Sequence, residues 1–245
     1  METLFLMNQA IKFLSLGVIA LGCGLLVTHR EVKVNYTRKV MHFSLLLIPI
    51  YVGRVFAYEG TLALFTAGCI LTIVITFIFV KPVRERLPLV ELMFKAFDRP
   101  EDRPFTVLWV ITQFMANYMI LIPMIILFAY YDLQHLIMLP LLITVVGDGL
   151  AEPVGVRFGR HKYKVRALFT NREYYRTLEG SACVFIACVV GIAAFHGSFT
   201  PHQFVVAMLV VPLAVTLAEA FSPHTWDNPL MFLVGYMTIF GIVLL

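Results

Sequence analysis

The chain has 245 residues, 60% of them hydrophobic and only 14% charged, with a net charge of +4 and a mean hydropathy of +0.86. A soluble domain is about half apolar and about a quarter charged, so this balance excludes an ordinary soluble fold. It points to a bilayer protein whose spans satisfy their backbone groups inside helices.

Apolar runs fall in chain order at 4–27, 41–58, 61–80, 105–130, 133–147, 180–196, 202–221 and 229–245. A span needs about 20 mostly apolar residues. The expected fold is therefore all-α: a polytopic transmembrane helix bundle of about eight spans, forming one integral membrane domain over 1–245. The first run follows Met1-Glu2 with no basic stretch and no small-residue cleavage pattern, so it reads as a retained helix. The 133–147 run contains Pro140 and is barely long enough to cross, which suggests tilt or enclosure by other helices. Cys23, Cys69, Cys183 and Cys188 all lie inside apolar runs without metal spacing and read as small buried hydrophobes.

Charge sorts these spans. Loops near 28–40, 81–104 and 148–179 carry seventeen of the nineteen Lys and Arg residues and alternate onto one side with 222–228. The opposite loops hold only Arg54, and Lys12 lies in the first run. The positive-inside rule makes the basic side cytoplasmic and both termini non-cytoplasmic. Segment 81–104 mixes Leu87, Leu89, Leu92 and Phe94 with charges and reads as a short interfacial amphipathic helix.

The polar clusters gather on the same predicted face, where ionisable groups at a span edge are costly and usually functional. Arg38, Lys39 and His42 come first, as phosphate contacts or as interfacial anchors. Asp148 follows an apolar run, with Glu152 four residues on; if helix continues, the two carboxylates share a face and suit Mg²⁺ completed by phosphate and water. Gly155 and Gly159 permit close backbone approach, to a ligand or to another helix. Arg160, Lys162, Lys164 and Arg166 then offer charge for a polyphosphate, or simply obey the positive-inside rule.

Arg176-Thr177-Leu178-Glu179-Gly180 enters the next span, with Thr177 and Glu179 also suited to capping a helix start. Glu219 lies within the seventh run and needs a cation, a metal or a proton. Asp227-Asn228-Pro229 is either part of a site or a turn into the last span. Tyr174-Tyr175 and Trp226 fit an interfacial aromatic belt. No GxxxxGK[ST], HExxH, GxSxG or paired CxxC occurs, so soluble-type NTPase, zinc-protease and serine-hydrolase chemistries lack their markers.

Taken in order, these stretches resemble the family of dolichol kinases, phytol kinases and CTP-dependent diacylglycerol kinases, a branch of the CTP-transferase membrane superfamily. The resemblance rests on RK-x-x-H at 38–42, GD-x-x-A-x-x-x-G-x-x-x-G-(K/R) at 147–160, (K/R)-(T/S)-x-E-G-(S/T) at 176–181, and Glu219 followed by Asp227-Asn228. Arg176 stands where many members have Lys.

The resemblance implies transfer of the terminal phosphoryl group, usually of CTP, to the hydroxyl of a membrane lipid alcohol: a polyprenol, a phytol-like isoprenoid or diacylglycerol. It implies Asp148 as the metal-binding or catalytic acid, with Mg²⁺ as cofactor, and places Glu219 and Asp227 in the last motif; Asp227 or Glu219 is then expected as further metal ligand or catalytic base, and Glu152 joins the metal set on spacing alone. It implies Gly155, Gly159, Arg160, Lys162, Arg176, Thr177, Glu179, Gly180, Asn228, Arg38, Lys39 and His42 as nucleotide-binding residues, and Lys164 joins them on charge alone. The expected partners are the nucleoside triphosphate, the lipid alcohol and the bilayer, with no nucleic acid. The setting is a bacterial inner membrane, or an endoplasmic-reticulum or plastid membrane, with the active face cytoplasmic.

Two alternatives stand beside this. A CDP-lipid-forming cytidylyltransferase resembles a pattern with D-R-x-x-D at its metal site and H-G-G nearby; this chain has Asp98-Arg99 followed by Glu101-Asp102, but no HGG. A non-enzymatic transporter would favour paired broken helices at mid-membrane, whereas these charges collect at one face.

Overall fold

The structure is a computed structural model, described here for residues 2–245. Each of the eight expected runs lies on a helix, and the chain adds two short helices and a β-hairpin. It divides into two compact units, Met1–Phe114 and Met115–Leu245.

In the first unit, α1 (Glu2–Arg30) packs on α2 (Val34–Val55) and on the short α5 (Pro88–Phe94). Gly24 allows the α1–α5 approach: a Cβ there would strike the Leu92 carbonyl. Asn8 Nδ2 donates to Phe56 O at 2.8 Å, fixing the far end of α2. The remaining helices are α3 (Leu62–Thr76), α4 (Lys81–Arg84) and the start of α6 (Thr106–Tyr130). The expected interfacial stretch thus exists as two helices broken before Pro88, which cannot supply a backbone donor. Arg84 ties them together, donating to Phe79 O and Glu91 at 2.8 Å each and lying 3.8 Å over the Phe94 ring. Leu87 and Leu89 remain exposed beside the charged residues.

The second unit holds the rest of α6, whose Phe128 meets Tyr236, and a ring of four further helices. α7 (Met138–Phe158) packs on α8 (Leu178–Ala194), α8 on α9 (Pro201–Phe221), α9 on α10 (Asp227–Val243), and α10 returns to α7. Tyr236 Oη donates to Ile137 O at 2.8 Å and closes the ring. Small residues set the closest contact: a Cβ on Gly147 would lie 3.1 Å from Val184 Cα, and one on Gly191 would lie 2.9 Å from Ile143 Cγ1. Such contacts favour helix association where lipid provides no hydrophobic drive.

Among the described residues, five helical segments are long and apolar enough to cross a membrane: Thr3–Arg30, Leu62–Phe79, Thr106–Tyr130, Gln134–Phe158 and Pro201–Phe221. α8 and α10 are apolar but shorter. On α9 two four-residue ladders lie on different faces. Val205, Leu209, Leu213 and Leu217 are exposed, whereas Ala207, Val211, Val215 and Glu219 are buried. The exposed ladder suits acyl chains, and the buried one carries Glu219 inward.

Two expectations need correction. The 148–179 segment is not a loop from its first residue, because α7 continues through Pro153 to Phe158. Asp148 therefore sits within the helix, 6% exposed, and not where a helix reaches the surface. The rest of that segment contains strands β1 (Lys162–Val165) and β2 (Tyr174–Thr177), an antiparallel pair in which Lys162 faces Thr177 and Val165 faces Tyr174.

Candidate functional site at the hairpin end of the bundle

The second unit gathers its acids at the end where α7 and α9 finish and α8 and α10 begin. Asp148 continues the inner face of α7 from Thr144, one turn earlier, and both are buried. Glu219 ends the buried ladder of α9 at 3% exposure. Asp227 and Asn228 open α10 and are buried as well. The charges of Asp148 and Asp227 both act on Glu219, which places the three carboxylates in one electrostatic neighbourhood.

Arg176, on β2, is the counter-charge. Its Nε lies 3.5 Å from Glu219 Oε1 and its Nη2 lies 3.4 Å from Asp227 Oδ2. Nη1 donates to Ser222 Oγ at 2.8 Å and also to the Glu219 carbonyl oxygen. Nη2 reaches Pro223 O at 3.4 Å. Arg176 was expected among the phosphate-holding cations; its fork is committed to the acids and to the turn between α9 and α10.

That turn is held from several sides. Ser222 Oγ donates to Glu219 O at 2.7 Å. His224 N–H donates to Arg166 O at 2.7 Å, and the His224 ring stacks on Tyr174 with centroids 3.8 Å apart. Tyr174 is therefore a buried anchor and not part of an exposed belt, whereas Tyr175 is exposed. Thr225 has φ of 67°, a left-handed conformation unusual for a β-branched residue and kept only where surrounding contacts over-determine the backbone.

The remaining sequence candidates divide clearly. Thr177 caps α8, accepting the Gly180 N–H at 3.1 Å. Glu179 accepts from the His161 ring at 2.8 Å and from the His161 backbone N–H at 3.3 Å, anchoring the start of the hairpin. Gly155 and Gly159 lie under Thr177: a Cβ on Gly155 would stand 2.8 Å from Thr177 Oγ1, and one on Gly159 would collide with the Thr177 methyl. Gly180 packs against Ala151 O, where a Cβ would stand at 2.8 Å. These three glycines serve close contact within the protein.

Arg160, Lys162 and Lys164 are exposed. Lys164 Nζ donates to Glu173 at 2.9 Å; this bond holds the Lys164 pKa up and the Glu173 pKa down. Glu152 is half-buried one turn beyond Asp148. Arg38, Lys39 and His42 lie on α2 in the first unit, and Lys39 is 3% exposed, a buried residue rather than a surface anchor.

Ser181 and Tyr163 were not assigned a role from sequence. Ser181 Oγ donates to Glu219 Oε2 at 2.7 Å, and Tyr163 Oη lies 2.7 Å from Ser181 Oγ. Burial pushes the Tyr163 phenol up, and the Glu219 charge adds to the rise. Thr144 Oγ1, Thr225 Oγ1, Trp226 Nε1 and Asn228 Oδ1 are buried with no hydrogen-bond partner. Among the described residues no group of three or more His, Cys, Asp or Glu forms a ready metal cage.

In the first unit, the Asp98–Asp102 stretch is fully engaged. Asp98 accepts from Arg103 Nε and Thr106 Oγ1, each at 2.7 Å, and Asp102 accepts from Arg99 Nε at 2.7 Å. Comparison with family models, curated proteins and solved structures returned no match.

Proposed function

We propose that the chain is a multi-pass membrane phosphotransferase that moves the terminal phosphoryl group of CTP to the hydroxyl of a membrane lipid alcohol. The observation that carries this reading is the set of three buried carboxylates, Asp148, Glu219 and Asp227, beside a hairpin whose exposed edge is cationic. Phosphoryl transfer asks little covalent chemistry of a protein; positioning and charge neutralisation do most of the catalysis.

Eight spans, with both termini on the non-cytoplasmic side, put this end of the second unit at the cytoplasmic surface. There a lipid hydroxyl can meet a water-soluble nucleotide. Arg160 and Lys162 bind the phosphates, while Arg176 holds Glu219 and Asp227 in place. The lipid oxygen bonds to the terminal phosphorus as the bond to the bridging oxygen breaks, CDP departs, and the hydroxyl proton passes to Glu219 or Asp227.

Residues present at the site fit Mg²⁺. Magnesium takes one or two protein carboxylates and completes its shell with phosphate and water, so it needs no cage of protein ligands. Asp148 and Asp227 would hold it, and the orphaned Asn228 Oδ1 adds a hard oxygen donor beside Asp227. When bound, the ion neutralises charge on the transferred group.

The cytidylyltransferase alternative is disfavoured by the engagement of Asp98 and Asp102 in ion pairs with Arg103 and Arg99. The test is purified protein in lipid nanodiscs with CTP labelled at its terminal phosphate and each candidate alcohol. Labelled lipid phosphate and CDP that disappear in Asp148→Asn are expected. Absence of Asp148-dependent lipid phosphate with any nucleotide overturns the reading, and release of pyrophosphate favours the cytidylyltransferase.

A further inference from the structure

A strand alternates its side chains between two faces. On β1, Lys162 and Lys164 are exposed while Tyr163 between them is half-buried, so the phenol turns inward and the cations turn out. The phenol meets Ser181 in the first turn of α8, and Ser181 in turn donates to Glu219 on α9, a contact spanning 38 residues of sequence. A serine hydroxyl has one proton to give. Because Ser181 gives it to Glu219 Oε2, the Tyr163 hydroxyl is the donor in the first link.

The result is a directed chain from the cationic strand to the most buried acid of the site, with 2.7 Å at each step. Arg176 occupies the other side of the same carboxylate, at Oε1. Glu219 is thus gripped at both oxygens by residues that belong to, or directly follow, the hairpin.

We propose that Tyr163 and Ser181 are positioning residues that fix the orientation of the Glu219 carboxylate and couple it mechanically to the β1–β2 hairpin. For the reaction this rests on the lipid-kinase reading; the coupling itself does not. Neither residue touches the nucleotide in this scheme, so their loss changes the reacting geometry and not the capture of CTP. Misplacing a reacting group by about an ångström costs on the order of a hundredfold in rate.

Two arms test it. In the kinetic arm, Tyr163→Phe and Ser181→Ala each lower kcat by roughly ten- to a hundredfold while the KM for CTP stays the same. Ser181→Thr, which keeps the hydroxyl, restores most of the rate. The double variant is no worse than Ser181→Ala alone, since both break one chain. Wild-type kcat in Tyr163→Phe, or a loss confined to KM, overturns the proposal.

The second arm needs no activity. A fluorotyrosine is placed at position 163 and its titration followed by fluorine NMR in detergent micelles. The groups acting on this phenol are Glu219, Ser181, Arg176 and Asp227. Glu219→Gln removes a charge that holds the phenol up, so the titration moves to lower pH. Ser181→Ala removes the oxygen that accepts the phenol's proton, a bond made by the neutral form, so the titration moves to lower pH as well. Shifts to lower pH in both variants support the chain even if no lipid is phosphorylated, in which case the kinase reading alone falls. No shift in either variant overturns the coupling whatever the activity.

Discussion

Arg176 Nε stands 3.5 Å from Glu219 Oε1, two residues 43 positions apart, each with a side chain no more than 12% exposed. The same guanidinium meets Asp227, so one cation balances two buried acids. Breaking a buried pair by removing one partner is far costlier than never having had it, because the survivor stays uncompensated. Arg176→Ala is expected to destabilise the second unit by about 3–5 kcal/mol. Arg176→Lys keeps the charge, loses the planar fork that reaches Ser222 and Asp227 together, and falls between. Thermal unfolding of the purified variants in detergent ranks them; an Arg176→Ala as stable as wild type would mean the acids are relieved in some other way.

The glycines give a prediction with opposite signs. A Cβ on Gly159 would collide with the Thr177 methyl and the Gly155 carbonyl, and backbone cannot move aside cheaply. Gly159→Ala is expected to cost about 1–3 kcal/mol as overpacking. Gly22 on α1 and Gly53 on α2 have nothing within 4 Å of where an added methyl would sit, so Ala there stabilises its helix by about 0.5–1 kcal/mol. Melting temperatures of the three variants check this, and a Gly159→Ala that melts with the other two contradicts the close contact.

The hairpin cations should separate by their partners. Lys164 is bonded to Glu173, whereas Lys162 sits at the start of the same exposed edge. In the proposed enzyme, Lys162→Ala raises the KM for CTP several-fold, roughly the loss of one phosphate contact. Lys164→Ala changes it little. The Lys164–Glu173 contact also fades as pH falls: the Glu173 pKa is depressed, so whatever the pair contributes is present above the usual glutamate range and is lost as Glu173 protonates below it. Steady-state kinetics over nucleotide concentration measure both variants.

Helix placement was legible because apolar runs of bilayer length leave few alternatives. The path of α7 was not. Hydropathy makes Asp148 a stop, but a carboxylate surrounded by protein does not end a helix, and Thr144 and Asp148 simply continue one inner face. The hairpin was hidden for a related reason. Lys-Tyr-Lys-Val does alternate, yet in a run so rich in cations the positive-inside rule accounts for the same residues. The acids of the site could be nominated one at a time from their positions in or beside apolar runs. Their grouping around Arg176 depends on contacts of 43 and 51 residues in separation, which no local spacing encodes. Tyr163 looked like one more residue among lysines until the strand turned it inward.

Asp98 and Asp102 test what the first unit does with its charges. Arg99 and Asp102 pair at 2.7 Å with side chains 7% and 3% exposed, and Asp98 is shared between Arg103 and Thr106. Asp102→Asn takes the close carboxylate from the buried Arg99, leaving Glu101 Oε1 at 3.9 Å, and is expected to cost about 1–3 kcal/mol. If these acids only hold the interfacial segment together, turnover per folded molecule is unchanged, and the loss is seen as a lower melting temperature and poorer expression. A variant that melts like wild type but loses turnover would instead make the stretch catalytic, and would revive the cytidylyltransferase reading.

Sidedness is open to direct labelling, because Cys23, Cys69 and Cys188 are buried and Cys183 is half-buried inside α8. Single cysteines introduced at Arg172, between the hairpin strands, and at Gly197, between α8 and α9, therefore report with little background. With the basic loops cytoplasmic, R172C in sealed cells resists a membrane-impermeant maleimide until the membrane is opened, whereas G197C reacts at once. The same pair also tests α8. Its 17 residues are short for a bilayer core, so crossing requires the chain on either side to reach the interface or the bilayer to thin around it. Arg172 and Gly197 flank that helix in sequence, and labelling from opposite sides means that it crosses. Labelling of both from one side would place α8 as a re-entrant element and reduce the span count.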